Sequence, residues 1–201
     1  MLHILGKHWK LILVWGLIFA FLSCGASLFF PKQYSAETQV LIISRNQTGI
    51  DPYTQAKSAE TVGTNLVQVM KTTDFYSKVM QSTGSFDRSQ WQNLSDRDQR
   101  KKWQKDVQAS MVYGTGMMNI VAYSGTQADA VALADAVSQT IASQGWEYVG
   151  GDVSIKIVGS PLASLIFARP NLILNSAIGF LVGVLICGLW VLKYKRRIFS
   201  I

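Results

Sequence analysis

Histidine and cysteine are scarce in this chain of 201 residues, and its middle region, residues 31–171, contains neither. The two histidines, His3 and His8, lie near the N-terminus, and the two cysteines, Cys24 and Cys187, lie in apolar runs near the two ends. Without histidine, the middle region lacks a common metal ligand and the base of a catalytic triad. Without cysteine, it cannot form a disulfide. We therefore expect no enzyme, no metal and no cofactor, and a middle region held together by its hydrophobic core alone.

Charged side chains are absent from two long segments, residues 11–30 and 172–192. At about 1.5 Å per residue the second is about 31 Å long, close to the thickness of a bilayer's hydrocarbon core. Residues 21–25 partly fit a lipoprotein cleavage box, but the apolar run continues beyond Cys24, which favours a retained helix. The sequence thus predicts two transmembrane helices.

Acidic residues are missing from the two ends of the chain, where six cations lie: Lys7, Lys10, Lys193, Lys195, Arg196 and Arg197. The other 13 of the 19 Lys and Arg residues share the middle region with all 12 Asp and Glu residues. The net charge of +7 therefore belongs to two basic flanks beside the spans, and a nucleic-acid partner is not expected. Because basic flanks stay in the cytoplasm, we expect both termini there and the middle region outside the cytoplasmic membrane. The alternative is that the flanks set topology and nothing more.

The predicted segments are a cytoplasmic N-terminal flank at 1–10, a span at 11–30, an extracytoplasmic α/β domain at 31–171, a span at 172–192 and a cytoplasmic basic tail at 193–201.

Small residues recur every four positions in both spans, as they do where membrane helices pack closely. Gly16 and Ala20 share a face in the first span, and Gly179 and Gly183 form a GxxxG in the second. Asn175 lies about one turn inside the second span, where its amide can hydrogen-bond across a helix contact. We expect these positions to contact either the other span or another subunit. The alternative is that small residues simply occur in spans.

The middle region reads as strand, helix, helical insertion, strand, strand, helix, strand. Period-two alternation predicts strands at 34–44, 109–113, 117–124 and 153–157, with a hairpin turn at 114–116. Helices are predicted from Thr54, after the caps Thr72 and Ser95, and from the cap Thr126 to Gly145, with loops at 45–52 and 84–93. This order predicts an α+β membrane protein in which two transmembrane helices flank an extracytoplasmic ferredoxin-like β-α-β-β-α-β domain with a short helical insertion at 84–107.

The helix predicted at 96–107 carries five basic residues: Arg97, Arg100, Lys101, Lys102 and Lys105. One interpretation is a site for an acidic glycan or for lipid headgroups. The other, which we favour, is a solvated helix with local ion pairs between Asp96 and Arg100 and between Asp98 and Lys102.

Three features together resemble the polysaccharide co-polymerases, the Wzz-type chain length determinants of bacterial surface glycans. One is the pair of spans around an exported α/β domain, and the second is the strand at 115–124 followed by the Ala-rich helix at 127–137. The third is the approach to the second span through Pro161 and Pro170, with its three glycines: Gly179, Gly183 and Gly188. In length the chain is similar to the short members of the family that act in capsule synthesis.

The resemblance implies a non-enzymatic, multi-pass protein of the bacterial inner membrane that sets the chain length or export of an O-antigen, capsule or exopolysaccharide. The partners that it implies are other copies of the chain in a homo-oligomeric ring, a polysaccharide polymerase, a lipid-linked glycan and the lipid bilayer. Two alternatives remain. One is an adaptor whose basic flanks recruit or activate a cytoplasmic tyrosine kinase of polysaccharide synthesis, and the other is an extracytoplasmic sensing or ligand-binding domain.

Overall fold

A computed structural model describes residues 8–44, 51–150 and 153–198, with side chains up to Lys193. The chain divides into two compact units. The first, here called the terminal unit, is made of the two end segments up to Lys32 and from Arg169 onward. The second, the central unit, is Gln33–Ala168. Most of the loop predicted at 45–52 lies outside the described residues.

The helices are α1 (Trp9–Ser27), α2 (Pro52–Val69), α3 (Thr73–Gln81), α4 (Ser89–Gln92), α5 (Asp96–Asp106), α6 (Gln127–Gln144) and α7 (Leu172–Ile198), with a 3₁₀ turn at Gly145–Tyr148. The strands are β1 (Tyr34–Ser44), β2 (Val107–Met111), β3 (Met117–Ser124) and β4 (Val153–Ala163). The α+β class and the apolar helices near both ends are thus confirmed, and Trp9–Ser27 and Leu172–Lys193 are long and apolar enough to cross a membrane. The first helix ends three residues before the end of the predicted span.

The strands form one antiparallel sheet in the order β2-β3-β1-β4. Strand alternation decides which face of this sheet is covered. Ala36, Val40 and Ile42 of β1 are buried, whereas Glu37 between them is exposed. Helices α2 and α6 pack on the buried face, where Leu66, Leu133, Val137 and Ile141 complete a single core. On the opposite face of β1, Glu37 is exposed and Gln39 and Leu41 are half-buried.

The predicted caps are confirmed in three helices. The hydroxyl groups of Thr72, Ser95 and Thr126 accept hydrogen bonds from the backbone N–H groups of the third residue that follows each, at 3.3, 3.3 and 3.1 Å. Each cap satisfies one of the N–H groups that a helix start leaves without a partner. The predicted hairpin is also present, and Gly114 at its turn has a φ of 71°, which favours glycine.

Strand β4 is longer than the sequence predicts. The alternation at 153–157 predicts a half-buried strand that ends there, but β4 continues through Pro161 to Ala163. A proline is tolerated because β4 is an edge strand, where the backbone N–H need not pair. The register of β1 against β4 shifts at a bulge between Glu37 and Gln39 and again between Gln39 and Val40, and the Thr38 hydroxyl donates to the Gly159 carbonyl at 2.6 Å.

The insertion between α2 and β2 adds an aromatic cluster to the core of the central unit. Trp91 and Trp103 are fully buried, with ring centroids 6.2 Å apart, and Phe86 and Tyr76 extend the cluster on either side. The indole N–H of Trp103 donates to the Met70 carbonyl at 2.8 Å. The loop predicted at 84–93 is therefore wrong in part, because burial of Trp91 folds Ser89–Gln92 into the one-turn helix α4.

Candidate functional site

The helix pair α1–α7 is closed near one end by a polar network. The Asn175 side-chain amide donates to the Ser27 hydroxyl at 2.8 Å, and the Ser23 hydroxyl donates to the Asn175 backbone carbonyl at 2.8 Å. Ser27 in turn donates to the Ser23 carbonyl. The N-terminus of α7 is capped by Asn171, whose side chain accepts from the Leu174 N–H at 3.1 Å. Asn175 therefore bonds to α1 of the same chain.

Glycines let the two helices of the pair approach closely. A Cβ atom at Gly183 would lie 2.8 Å from both the Phe19 Cβ and the Trp15 carbonyl oxygen, and 3.0 Å from the Gly16 Cα. At Gly179 it would lie 2.6 Å from the Ser23 Cβ. These distances leave no room for a side chain, so the backbones themselves form the contact.

The remaining packing positions surround this contact. Gly16 is buried against Phe180 and Val184, and Ala20 is half-buried on the same helix. Of the two contacts open from the sequence, the other span or another subunit, the structure shows Gly16, Gly179 and Gly183 in the first. Phe19 and Phe180 pack at the contact, whereas other large apolar side chains of both helices are exposed, Phe21 and Leu185 among them.

The basic flanks lie at the ends of the helix pair. Lys10 and Lys193 are exposed on α1 and α7. Lys7 lies outside the described residues, and so do the side chains of Lys195, Arg196 and Arg197. The backbone of α7 continues as a helix through these last three positions.

Four of the five predicted contact residues on α5 are exposed, and we call them the α5 basic face: Arg97, Arg100, Lys101 and Lys105. Arg97, Arg100 and Lys101 line an open groove of about 380 Å³ together with Asp96 and Gln104. Arg100 is held in place, because its Nε and Nη2 atoms donate to the Thr73 hydroxyl at 3.2 and 2.8 Å. A fixed guanidinium beside two further cations is chemically suited to bind a carboxylate or a phosphate.

Lys102 has a different role from its neighbours. Its Nζ lies 2.9 Å from the Oδ2 of Asp106, which is buried, and 5.7 Å from the centroid of the Trp91 ring. The predicted ion pairs of Asp96 with Arg100 and of Asp98 with Lys102 are wrong. Asp98 instead accepts from the cap Ser95, and Lys102 instead neutralises a carboxylate that folding has removed from water.

Two contacts that were not predicted join the insertion to the 3₁₀ turn after α6. Lys78 of α3 pairs with Glu147, and the Tyr148 hydroxyl donates to Asp74. The bond with Glu147 raises the pKa of Lys78, and burial is the main cause that raises the pKa of Tyr148. The residues are 69 and 74 positions apart, so no local spacing in the sequence could reveal them.

The sheet face opposite α2 and α6 holds an open cavity of about 610 Å³ beside the β4 bulge. Glu37 and Gln39 of β1 and Ser160 and Leu162 of β4 are among the residues that line it. Among the described residues, no group of three or more His, Cys, Asp or Glu side chains is arranged to hold a metal ion. The features that the structure does show are a close helix pair, the α5 basic face and this open cavity.

Residues 1–83 match the family model of Wzz, the chain length determinant protein. This match covers α1, β1, α2 and α3, and so includes the first apolar helix and the first 51 residues of the central unit. The resemblance to the Wzz family is confirmed. The Wzz family implies chain length determination in polysaccharide biosynthesis, by regulators rather than enzymes, in association with the inner membrane. The two apolar helices of the chain are compatible with that location. No curated protein matches the chain.

Proposed function

We propose that this chain is a non-enzymatic polysaccharide co-polymerase that sets the length of a surface polysaccharide as a homo-oligomer in the inner membrane. The observation that carries the proposal is the Wzz match over residues 1–83, which joins the first span to the central unit. In this proposal both termini are cytoplasmic and the central unit is extracytoplasmic, in keeping with the basic flanks. The polymerase, the lipid-linked glycan and other copies of the chain are its partners.

A ferredoxin-like domain is part of the proposal. The strand order β2-β3-β1-β4 supports it, since β1 lies between β3 and β4 and all neighbours are antiparallel. Helices α2 and α6 stand in the two crossovers, and the α3–α5 insertion interrupts the first of them.

The test is the size distribution of surface polysaccharide on a gel, in a strain that lacks the chain and in the same strain complemented with it. A preferred length that is lost and then restored is the expected result. An unchanged distribution would overturn length control. Deletion of residues 193–201 then separates the alternatives, because loss of kinase phosphorylation with unchanged glycan length favours the adaptor.

We propose further that the α5 basic face contacts an acidic glycan or lipid headgroups. Its support is the groove lined by Arg97, Arg100 and Lys101. The double change Arg97→Glu and Lys101→Glu should alter the preferred glycan length, whereas Lys57→Glu, an exposed charge reversal on α2, should not. If both variants leave the length unchanged, the α5 basic face is a solvated surface.

A further inference from the structure

An exposed apolar loop follows the last strand of the central unit. Leu165 is 91% exposed and Ile166 is 70% exposed, and Leu162 at the end of β4 is 76% exposed. Isolated apolar side chains on a surface are ordinary, but three within five residues form a patch, and such patches mark contacts with an apolar partner. We call residues 164–168 the apolar loop.

The apolar loop is anchored at both ends to the start of β1. The Ser164 N–H donates to the Ser35 carbonyl and the Ala168 N–H donates to the Gln33 carbonyl, each at 2.7 Å. A disordered loop would expose the same side chains only transiently. This one presents Leu165 and Ile166 from a fixed backbone.

Three carbonyl groups of the loop, those of residues 164–166, accept hydrogen bonds within the central unit. The Gln127 side-chain amide donates to the Ser164 carbonyl at 2.9 Å and more weakly to the Leu165 carbonyl at 3.4 Å. The Ser164 hydroxyl donates to the Ile166 carbonyl at 2.6 Å. Backbone groups that enter an apolar medium must have such internal partners, since no water is there to replace them. The carbonyl groups beside the two apolar side chains therefore do not need water as a partner.

The sequence limits where the loop can be. Leu165 precedes Leu172, the first residue of α7, by seven residues, and Gln33 follows Ser27, the last residue of α1, by six. Even a fully extended chain covers only about 25 Å over seven residues. The loop and the start of β1 to which it is bonded are thus each joined to an apolar helix by only a few residues.

We propose that Leu165 and Ile166 insert into the bilayer at the boundary between headgroups and acyl chains on the extracytoplasmic side. The inference rests on the proposed membrane placement of α1 and α7. The loop then acts as a third, shallow membrane contact, which restrains the central unit at the membrane surface. We assign lipid as the contact partner, because the loop combines two exposed apolar side chains, carbonyl groups that are bonded internally and a short connection to the spans.

The test is spin-label accessibility in the full chain, reconstituted in vesicles of phosphatidylethanolamine and phosphatidylglycerol. In a background with Cys24→Ala and Cys187→Ala, one nitroxide is placed by Leu165→Cys. The matched control is Tyr113→Cys, a residue 87% exposed at the β2–β3 turn, and the membrane reference is Val182→Cys on α7. The ratio of oxygen to water-soluble nickel accessibility should be severalfold higher at position 165 than at position 113.

Equal ratios at positions 165 and 113 would overturn the proposal. So would a label at 165 that is shielded from both reagents, because that result means a protein contact, such as a second copy of the chain. A low ratio at position 182 would instead show that α7 does not span the bilayer. Glycan length on the gel is measured separately, so failure of the loop contact and failure of the co-polymerase function remain distinguishable.

Discussion

The terminal and central units differ in the size of the side chains at their packed contacts. In the terminal unit Gly16, Gly179 and Gly183 form the centre of the contact, and many large apolar side chains are exposed. In the central unit the large side chains point inward, Trp91 and Trp103 being fully buried. Lipid is as apolar as a leucine side chain, so two helices in it gain little by hiding large side chains and more by close backbone contact. In water, the burial of apolar surface is the main stabilising term. This is the difference expected between a helix pair in the bilayer, as proposed for the terminal unit, and a domain in water.

The largest effect should come from the core of the insertion. Trp103→Ala removes a fully buried indole and its hydrogen bond to Met70. Such a truncation lowers the free energy of unfolding by about 3–5 kcal/mol. Denaturant unfolding of the full chain in mild detergent, followed by the near-UV signal of the central unit, measures it. Trp146→Ala is the control, because Trp146 is 58% exposed and its loss should cost within about 0.5 kcal/mol. Equal costs for the two variants would contradict a core organised around Trp103.

Close backbone contact in the helix pair can be tested at Gly183. In Gly183→Leu the new side chain meets the Trp15 carbonyl, which cannot move unless the helices separate. We expect a loss of about 1–3 kcal/mol in the stability of the pair. Titration with a denaturing detergent, monitored by helical circular dichroism, gives the midpoint. Gly25→Leu in α1 is the matched control, since nothing lies within 4 Å of a Cβ at that position. Equal titration midpoints for the two variants would contradict close backbone packing at Gly183.

A smaller effect is expected for the polar end of the helix pair. Asn175→Ala removes the donor to Ser27 but keeps the bond from Ser23 to the backbone of residue 175. Hydrogen bonds between membrane helices contribute about 0.6 kcal/mol on average. The same detergent titration should show a small shift for Asn175→Ala and none for Ser176→Ala at the next position. A shift as large as that of Gly183→Leu would mean that hydrogen bonding, and not close packing, dominates the pair.

The smallest effect concerns the solvated surface of the central unit. Asp87 accepts from the Ser89 N–H at 2.9 Å, and hydrogen bonds from Ser89 lower the pKa of Asp87. Because the folded pKa lies below the ordinary value of 3.8, the contribution of Asp87 is present above pH 3.8 and is lost as the pH falls through the folded value. Asp87→Ala should therefore slightly destabilise the chain near neutral pH and have no effect in stronger acid. A pH series of unfolding free energies for both chains checks this, and a pH-independent difference would contradict it.

Local patterns predicted most elements of the central unit. The alternation from Tyr34 to Ser44 is continuous and predicted β1 with its correct bounds. The caps at Thr72, Ser95 and Thr126 also followed from spacing alone, because a cap satisfies a backbone group within the same turn. Where a neighbour several turns away decides the structure, the prediction failed. The end of β4 depends on pairing with β1, and the partner of Lys102 depends on the burial of Asp106.

For the candidate sites too, local patterns predicted some features, and only the tertiary structure showed the others. Spacing placed Gly179 and Gly183 on one face of a helix, but only the fold shows that this face meets α1 of the same chain. The exposed tip of the apolar loop had no signal in the alternation, since Leu165 and Ile166 are adjacent residues outside any strand or helix. One clue was available, namely an apolar pair between a predicted strand and a predicted span.

The sequence by itself determined the two apolar helices, the basic flanks, the strand and helix order and the absence of histidine and cysteine from the middle region. These follow from composition and from periods of two and 3.6 residues, which are properties of a single segment. Only the tertiary structure decided the order β2-β3-β1-β4, the choice of partner for the glycine face and the anchoring of the apolar loop. Each of these joins residues far apart in the chain, and their free energy depends on contacts that exist only after the chain has folded.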